Sequence, residues 1–314
     1  MMGKFNGIAK SEAFRSILNQ AEQFAAVPRP ILLRGERGTG KELVARFIHD
    51  QSPRKRGPFV AINCAAFDGE LINAEIYGHE KGAFTGATET RIGKLEQADS
   101  GTLFMDEIGN MSPPFQEKIL RVIEYQEFER IRGAKTIKVD VRIISATNAD
   151  LEDLITANLF RRDLYDRLTF AKLEIPALRH RKEEIPHLII YFVQELHHEI
   201  PNLMQKTFDR KTVVAMLDYY WPGNVRELKN IVERVYLYGS DERILPSHLP
   251  PEITGQEITG ESFNEKVEQF KRQLIVEALE KANNNQRRAA RELGMTYDQF
   301  RHYYKKYACV KLEP

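Results

Sequence analysis

Short apolar runs alternate with amphipathic stretches through the first half of the chain. Ile31-Leu-Leu33, Phe59-Val-Ala-Ile62, Thr102-Leu-Phe-Met105, Val141-Arg-Ile-Ile-Ser145 and Phe170-Ala-Lys-Leu173 are too short for buried helices and read as strands. Helix-like segments such as Glu42 to Ile48 lie between them. The alternation predicts an α/β fold, a mostly parallel sheet with helices on both faces. After Pro176 the pattern becomes wholly helical, with apolar positions at helical spacing in Ile185 to Glu199, Arg210 to Tyr219 and Val225 to Tyr238. That run predicts a helical lid. The breaker-rich stretch Leu249 to Gly260 reads as a linker, and a third unit of about fifty residues follows, opening on an amphipathic helix from Phe263 to Ala282. The predicted organisation is an α/β subdomain over 1–175, a lid over 176–248, a linker over 249–261 and a C-terminal unit over 262–314.

Composition narrows the class. With 314 residues, 42% of them apolar and 29% charged, the chain can bury two or three small cores. A formal net charge of +1 gives no global attraction to nucleic acid or membrane, so any basic surface must be local. Residues 283–314 supply one, with seven Lys or Arg against three Asp or Glu. The two cysteines, Cys64 and Cys309, show no metal-ligand spacing and point to a reducing, cytoplasmic compartment. No apolar run approaches the roughly 20 residues that cross a bilayer.

The first strand runs into Gly35-Glu36-Arg37-Gly38-Thr39-Gly40-Lys41-Glu42, which meets the spacing G-x-x-x-x-G-K between a strand and a helix. Its glycines let backbone N–H groups turn toward an anion, the next helix presents its positive end, and Lys41 adds a point charge. The pattern points to nucleotide phosphate. Glu42 stands where the general P-loop has a magnesium-binding hydroxyl, so a metal must be held mainly from elsewhere. About sixty residues on, the apolar strand Thr102 to Met105 ends in Asp106 and Glu107, a Walker B ending. Asp106 can hold Mg2+, directly or through water, and Glu107 can polarise an attacking water.

Gly82-Ala83-Phe84-Thr85-Gly86-Ala87 reads as an exposed, bendable loop with one aromatic, or as a Gly-rich turn with Phe84 tucked into the core. With Tyr77-Gly-His-Glu-Lys81, this segment resembles the GAFTGA signature of bacterial enhancer-binding proteins, the AAA+ activators of RNA polymerase carrying sigma-54. The resemblance covers nearly the whole chain. It assigns the loop to sigma-54 contact, and it explains Glu42, since the family's P-loop reads GESGTGKE; here Arg37 replaces its serine. Ile62-Asn-Cys-Ala65 looks like the family's switch strand, which implies that Asn63 hydrogen-bonds Glu107. Ser145-Ala-Thr-Asn148 looks like sensor I, with Thr147 or Asn148 reaching the terminal phosphate. Trp221-Pro-Gly-Asn-Val-Arg-Glu-Leu228 is similar to the lid motif whose arginine, here Arg226, is sensor II; Asn224 and Glu227 have the spacing of a capping box.

Arg161 and Arg167 match the family's two arginine fingers, which enter a neighbouring subunit's site and imply a homo-hexameric ring. Local spacing offers another reading, a surface ion pair between Asp163 and Arg167, and Arg162 competes with Arg161 for the finger role. In the last unit, Gln286 to Leu293, Gly294 and Thr296 to Tyr307 form a helix-turn-helix pattern that resembles a Fis-type domain. Arg287, Arg288 and Lys305 are candidates for phosphate contacts with enhancer DNA, and Thr296, Tyr297, Asp298, Arg301 and His302 for base edges. About thirty residues precede the P-loop, too few for a receiver domain. The architecture thus resembles the phage-shock-protein activator type, controlled by a separate inhibitory protein, or a piece of a longer regulator. The resemblance implies an ATPase that uses ATP and Mg2+ to remodel the closed sigma-54 polymerase complex. A DNA-binding repressor with a vestigial motor and a replication-initiator or helicase-loading ATPase are the alternatives.

Overall fold

In the computed structural model the described residues are 5, 7–66, 69–85, 87–239, 241–254, 271, 274–279, 281–282 and 285–308, without the side chains of 69–70, 298 and 305–308. The chain divides into two compact units, residues 1–249 and 250–314. The first opens with α1 (Glu12–Ala25), β1 (Ile31–Arg34), α2 (Lys41–Asp50), β2 (Phe59–Asn63) and α3 (Gly69–Tyr77). A two-residue pairing of β3 (Gly78–His79) with β4 (Arg91–Ile92) precedes α4 (Lys94–Gln97), β5 (Thr102–Asp106) and α5 (Pro113–Tyr125). The hairpin of β6 (Glu127–Glu129) and β7 (Thr136–Lys138) leads to β8 (Arg142–Thr147), α6 (Leu151–Thr156), α7 (Arg162–Leu168) and β9 (Ala171–Glu174). The lid adds α8 (Ile185–Glu199), β10 (Thr207–Phe208), α9 (Arg210–Asp218), α10 (Asn224–Tyr238) and β11 (Arg243–Ile244).

All five expected strands form one sheet in the order β2-β5-β8-β1-β9, and every neighbouring pair is parallel. The central strands, covered on both faces, read as near-continuous apolar runs, whereas the edge strands β2 and β9 keep exposed positions. β8 is buried at all six positions, and β5 at all but its terminal Asp106. Phe104, Ile144 and Leu33 pack against α1 and α2 on one face, whereas Met105, Ile143 and Leu103 face Phe115, Ile119 and Leu164 on the other. Register sets the ends of the strands level: Asn63 lies opposite Asp106, and Arg34 opposite Thr147. In an open α/β sheet the carboxyl ends of the strands form the ligand crevice, and the candidate residues Gly35, Asn63, Asp106, Glu107, Thr147 and Asn148 all belong to that edge.

In unit 250–314 the segment read as a linker contains a short helix, α11 (Pro251–Thr254), because prolines fit a first helical turn; residues 255–261 lie outside the described residues. The start of the predicted helix at Phe263 does so too, while 274–279 are helical. Two further helices, Gln286–Glu292 and Tyr297–Ala308, flank Gly294 at φ +63°. They close on Phe300, Ala289 and Ala290, packed with Ile275, Ala278 and Ala282. Thr296 and Gln299 cap the second helix reciprocally, Gln299 N–H donating to Thr296 Oγ1 at 3.3 Å and Thr296 N–H to Gln299 Oε1 at 3.0 Å.

One buried charge ties α1 to the lid side. Glu184 is fully buried and accepts from the backbone N–H groups of Lys10 and Ser11, from Ser11 Oγ and from Arg181. Arg181, itself 2% accessible, also donates to Thr39 O in the P-loop and lies over the Phe14 ring. Removing one partner of such a pair leaves the other charge buried alone. Glu184→Leu is therefore expected to destabilise the protein by about 3–5 kcal/mol, read as a lower urea midpoint; an unchanged midpoint would contradict the pairing.

Candidate functional site

The P-loop is built by close approach. Gly38 has φ +75°, and a Cβ there would strike the Gly223 carbonyl oxygen, so only glycine lets the loop meet the lid. Val225 N–H at the start of α10 donates to Gly38 O at 3.0 Å. On the sheet side, Gly35 N–H donates to Thr147 O at 3.2 Å, tying the loop to the sensor strand. Thr39 Oγ1 closes the turn on Glu36 O at 2.8 Å. The first-turn N–H groups of α2 have no helical acceptor and carry the positive end of the helix dipole.

Lys41 is buried, and its Nζ donates to Gly35 O at 2.9 Å and Glu36 O at 3.2 Å. Burial pushes its pKa down; the carboxylates of Asp106 and Glu107 oppose that, while Arg226 and Arg37 add to it. Three cations and two carboxylates thus share one cradle. Asp106 Oδ1 accepts Glu107 N–H at 2.9 Å, which leaves its other oxygen available to a cation. A lone carboxylate with water and phosphate oxygens is an ordinary magnesium environment, and among the described residues no cluster of three His, Cys, Asp or Glu forms a separate metal cage. Glu107 sits in the left-handed region at φ +56°, buried, with Oε2 lacking any hydrogen-bond partner. An orphaned buried oxygen of this kind is what a water-polarising base needs.

Some expected contacts differ. Asn63 does not bond Glu107: its Oδ1 accepts Ala65 N–H at 2.8 Å, because a side-chain carbonyl at a strand end satisfies the next turn. Glu107 Oε1 instead lies 3.7 Å from Arg37 Nε. Thr147 is buried, its Oγ1 accepting Ala149 N–H at 3.0 Å, whereas Asn148 is exposed at the strand end. Arg226 is exposed in the first turn of α10, beside Gly38. Glu42 is exposed on α2, 3.9 Å from Arg46. Asn224 is no capping residue. Glu227 accepts from Gly223 N–H at 2.7 Å, and Asn224, at φ +53°, turns inward, accepting Leu178 N–H and donating to Arg37 O and Glu36 Oε2 at 3.0 Å.

Sequence reasoning missed the partner that completes this contact. Arg179 forks both oxygens of Glu36 and stacks 4.4 Å over the Tyr220 ring. Hydrogen bonds from Arg179, then from Asn224, hold the Glu36 carboxyl down to about 2. Nothing in local spacing links Glu36 to Arg179, 143 positions away. Cys64, by contrast, is packed in the core, its thiol pushed up to about 12 by burial, and Cys309 lies outside the described residues.

Away from the crevice, the loop over 82–87 stands on a braced base. Arg130 forks Glu96 at 2.8 and 2.7 Å and reaches Glu80 at 2.9 Å, and Glu80 accepts from Thr90. Gly82 N–H donates to Ala87 O at 2.8 Å, closing the loop; Gly86 lies outside the described residues. Ala83 and Ala87 are buried, but Phe84 is 43% accessible and leans on the His79 ring at 4.8 Å. Thr85 is exposed. The alternative of a core Phe84 is not realised. The loop lines a cavity of about 680 Å³ with Asn73, Lys118 and Arg132.

Arg161 stands at the N-cap of α7 and pairs with Asp163 at 2.7 Å, and Arg167 pairs with Glu124 at 3.0 Å. The alternative Asp163 to Arg167 pair does not form, because Arg161, just ahead of the first turn, takes that carboxylate and Arg167 turns to Glu124. Arg162 pairs with Glu152 and Asp166. In unit 250–314, Arg287 lies 5.5 Å from the Tyr297 ring and Arg288 is 4.0 Å from Glu292. Thr296, Tyr297, Arg301 and His302 are exposed, while the side chains of Asp298 and Lys305 lie outside the described residues. No helix among the described residues is long and apolar enough to cross a membrane.

Comparison with known proteins agrees with this geometry. Residues 8–174 match the sigma-54 interaction domain, 179–266 the AAA+ ATPase lid domain, and 266–307 the Fis family of bacterial regulatory proteins. The Psp operon transcriptional activator of Escherichia coli (strain K12) is 41% identical over 97% of this chain and 98% of its own length. The Nif-specific regulatory protein of Herbaspirillum seropedicae is 48% identical over 74% of this chain and 44% of its own length. A crystal structure of NtrX from Brucella abortus in complex with ATP superposes with a TM-score of 0.76 at 34% identity, over 97% of this chain and 69% of that one.

The Glu36 contact has a pH signature. Its folded pKa of about 2 lies below the ordinary 4.5, so its stabilisation is complete above 4.5 and lost as pH falls toward 2. The stability gap between the parent and Glu36→Gln should stay constant from about pH 6 to 5 and narrow below about pH 4.5, measured as urea midpoints. A gap that widens on acidification would contradict the contact.

Proposed function

The chain belongs to the bacterial sigma-54-dependent transcriptional activators, and we propose that it is a DNA-tethered motor whose ATP hydrolysis remodels the closed sigma-54 polymerase complex. The observation that carries this is the meeting of Lys41, Asp106 and Glu107 at the carboxyl edge of the parallel sheet, with the lid closed on the same P-loop. Bound MgATP supplies the phosphoanhydride bond and the metal charge. Lys41 would leave its carbonyl partners for phosphate oxygens, Asp106 would hold the cation, and Glu107 would take the proton of the attacking water on its free Oε2. Arg226 at the lid and Thr147 or Asn148 at the sheet flank the terminal phosphate.

In this reading Arg161 and Arg167 serve a neighbouring subunit's site in a hexameric ring. Both are exposed, Arg161 at the N-cap of α7 and Arg167 in its last turn, and their pairs with Asp163 and Glu124 are weak surface contacts readily exchanged for phosphate. Phe84 and Thr85 meet sigma-54: an exposed aromatic on a braced loop gives a large apolar contact at little entropic cost. The second helix of the C-terminal unit reads enhancer DNA through Thr296, Tyr297, Asp298, Arg301 and His302, with Arg287, Arg288 and Lys305 on phosphates. Such a protein works in the cytoplasm, under an inhibitory protein acting in trans. The division into motor, lid, linker and DNA-binding unit follows the boundaries 1–175, 176–248, 249–261 and 262–314.

In vitro transcription from a sigma-54 promoter, with and without ATP, tests the proposal; ATP-independent output would contradict it. Phe84→Ala should keep ATP hydrolysis within about twofold of the parent and abolish transcription, whereas Glu107→Gln should bind ATP and hydrolyse it at least about 100-fold more slowly. Mixing Arg161→Ala with Lys41→Ala protein should restore part of the turnover that each lacks, and absence of rescue in rings shown to mix would place the finger within one chain.

A further inference from the structure

The P-loop of this chain carries a cation that phosphate cradling does not require. Arg37 stands between Glu36 and Gly38, and its backbone carbonyl is pinned by Asn224 Nδ2 at 3.0 Å. That pin fixes where the side chain starts. The guanidinium itself is 68% accessible and makes one long contact, Nε to Glu107 Oε1 at 3.7 Å. Glu107 is its opposite in every respect: its side chain is 10% accessible, its backbone is held at φ +56°, and Oε2 has no partner. Asn63, the neighbour on the adjoining strand, spends its carbonyl on Ala65. Beside the buried Lys41, Arg37 is thus a second, exposed P-loop cation that faces Glu107, and it extends from the loop that would wrap the terminal phosphates.

Two anions then compete for one guanidinium. A single 3.7 Å contact to a carboxylate is a weak pair, whereas a phosphate offers the bidentate geometry for which guanidinium is suited. We propose that Arg37 is a positioning residue for Glu107: it pairs with that carboxylate until a nucleoside triphosphate binds, then transfers to the terminal phosphate, and so releases Glu107 to a water only when that phosphate is present. The switch lies within one subunit and needs no ring. A diphosphate leaves the pair intact, since no terminal phosphate reaches the guanidinium. The inference rests on the ATP-hydrolysing reading above, and deepens it by naming what gates the base.

Binding of β,γ-imido ATP and of ADP, each with magnesium and at fixed ionic strength, tests it on the full-length parent, R37S, E107Q and the double variant. Where Arg37 is present, E107Q removes both a repelling charge and the competitor for the guanidinium; in the R37S background it removes only the charge. E107Q should therefore tighten imido-ATP at least about threefold more with Arg37 present than in the R37S background, with no such difference for ADP. R37K, which keeps the charge without the fork, should give an intermediate factor. Equal tightening in both backgrounds, or the same difference for ADP, would overturn the switch. A parent that binds neither nucleotide would overturn the ATPase reading and the switch together, whereas normal parent binding with additive variants would overturn the switch alone.

Discussion

The carboxylate of Glu36 joins the two halves of the nucleotide site. It belongs to the P-loop, yet its partners are Arg179, beyond the last strand of the sheet, and Asn224, the first residue of α10. Tyr220 stacks on Arg179, and Asn224 in turn holds Arg37 O and Leu178 N–H. A forked Arg to carboxylate pair fixes orientation as well as distance. Gly38 completes the fit, since any side chain there would drive the lid away from the loop. The P-loop is therefore shaped from both sides, by Thr147 O of the sheet at Gly35 and by the lid at Glu36, Arg37 and Gly38. A loop so held presents its N–H groups in a fixed array, tied directly to α10.

The second consequence concerns the base. With the P-loop clamped at the Arg37 carbonyl, its side chain reaches toward the strand end where Glu107 sits in a left-handed backbone. Sparsely populated backbone held by its surroundings is a common mark of a functional position. Lys41, meanwhile, rests on the carbonyls of Gly35 and Glu36 and is depressed by burial, so an arriving phosphate replaces two neutral acceptors with an anion. Lys41 and Arg37 each have a resting partner that phosphate can outcompete. The loop over 82–87 follows another logic: its base is locked by the Arg130, Glu80 and Glu96 network, and its tip is left in solvent.

Much of this was legible from residue order. The five parallel strands showed as short, mostly apolar runs, clearest for the central β5 and β8 that are covered on both faces, and each lay within a residue or two of its place. The P-loop, Asp106 and Glu107 followed from spacing, because phosphate cradling needs its residues contiguous. Contacts between distant segments were not legible. Arg179 to Glu36 and Glu184 to Ser11 connect positions more than 140 apart, and neither has a local pattern. Asn224 misled for a local reason: an Asn three residues before a Glu fits a capping box, but the helix takes Gly223 as its cap and the tertiary contact claims the amide. Asp163 likewise had two arginines in reach, and the helix start decided between them. Phe84 was ambiguous because composition gives a turn no direction; the braced base left its ring exposed.

The link between P-loop and lid is tested most directly by amide hydrogen exchange in the nucleotide-free protein. Glu36→Gln and Arg179→Met should each speed exchange severalfold in peptides covering 35–40 and 224–228, since a charge-assisted fork partly open to solvent is lost at both ends. The core of β8 should be unaffected. If exchange quickened in the P-loop peptide alone, or in neither, the two halves of the site would not be joined through Glu36.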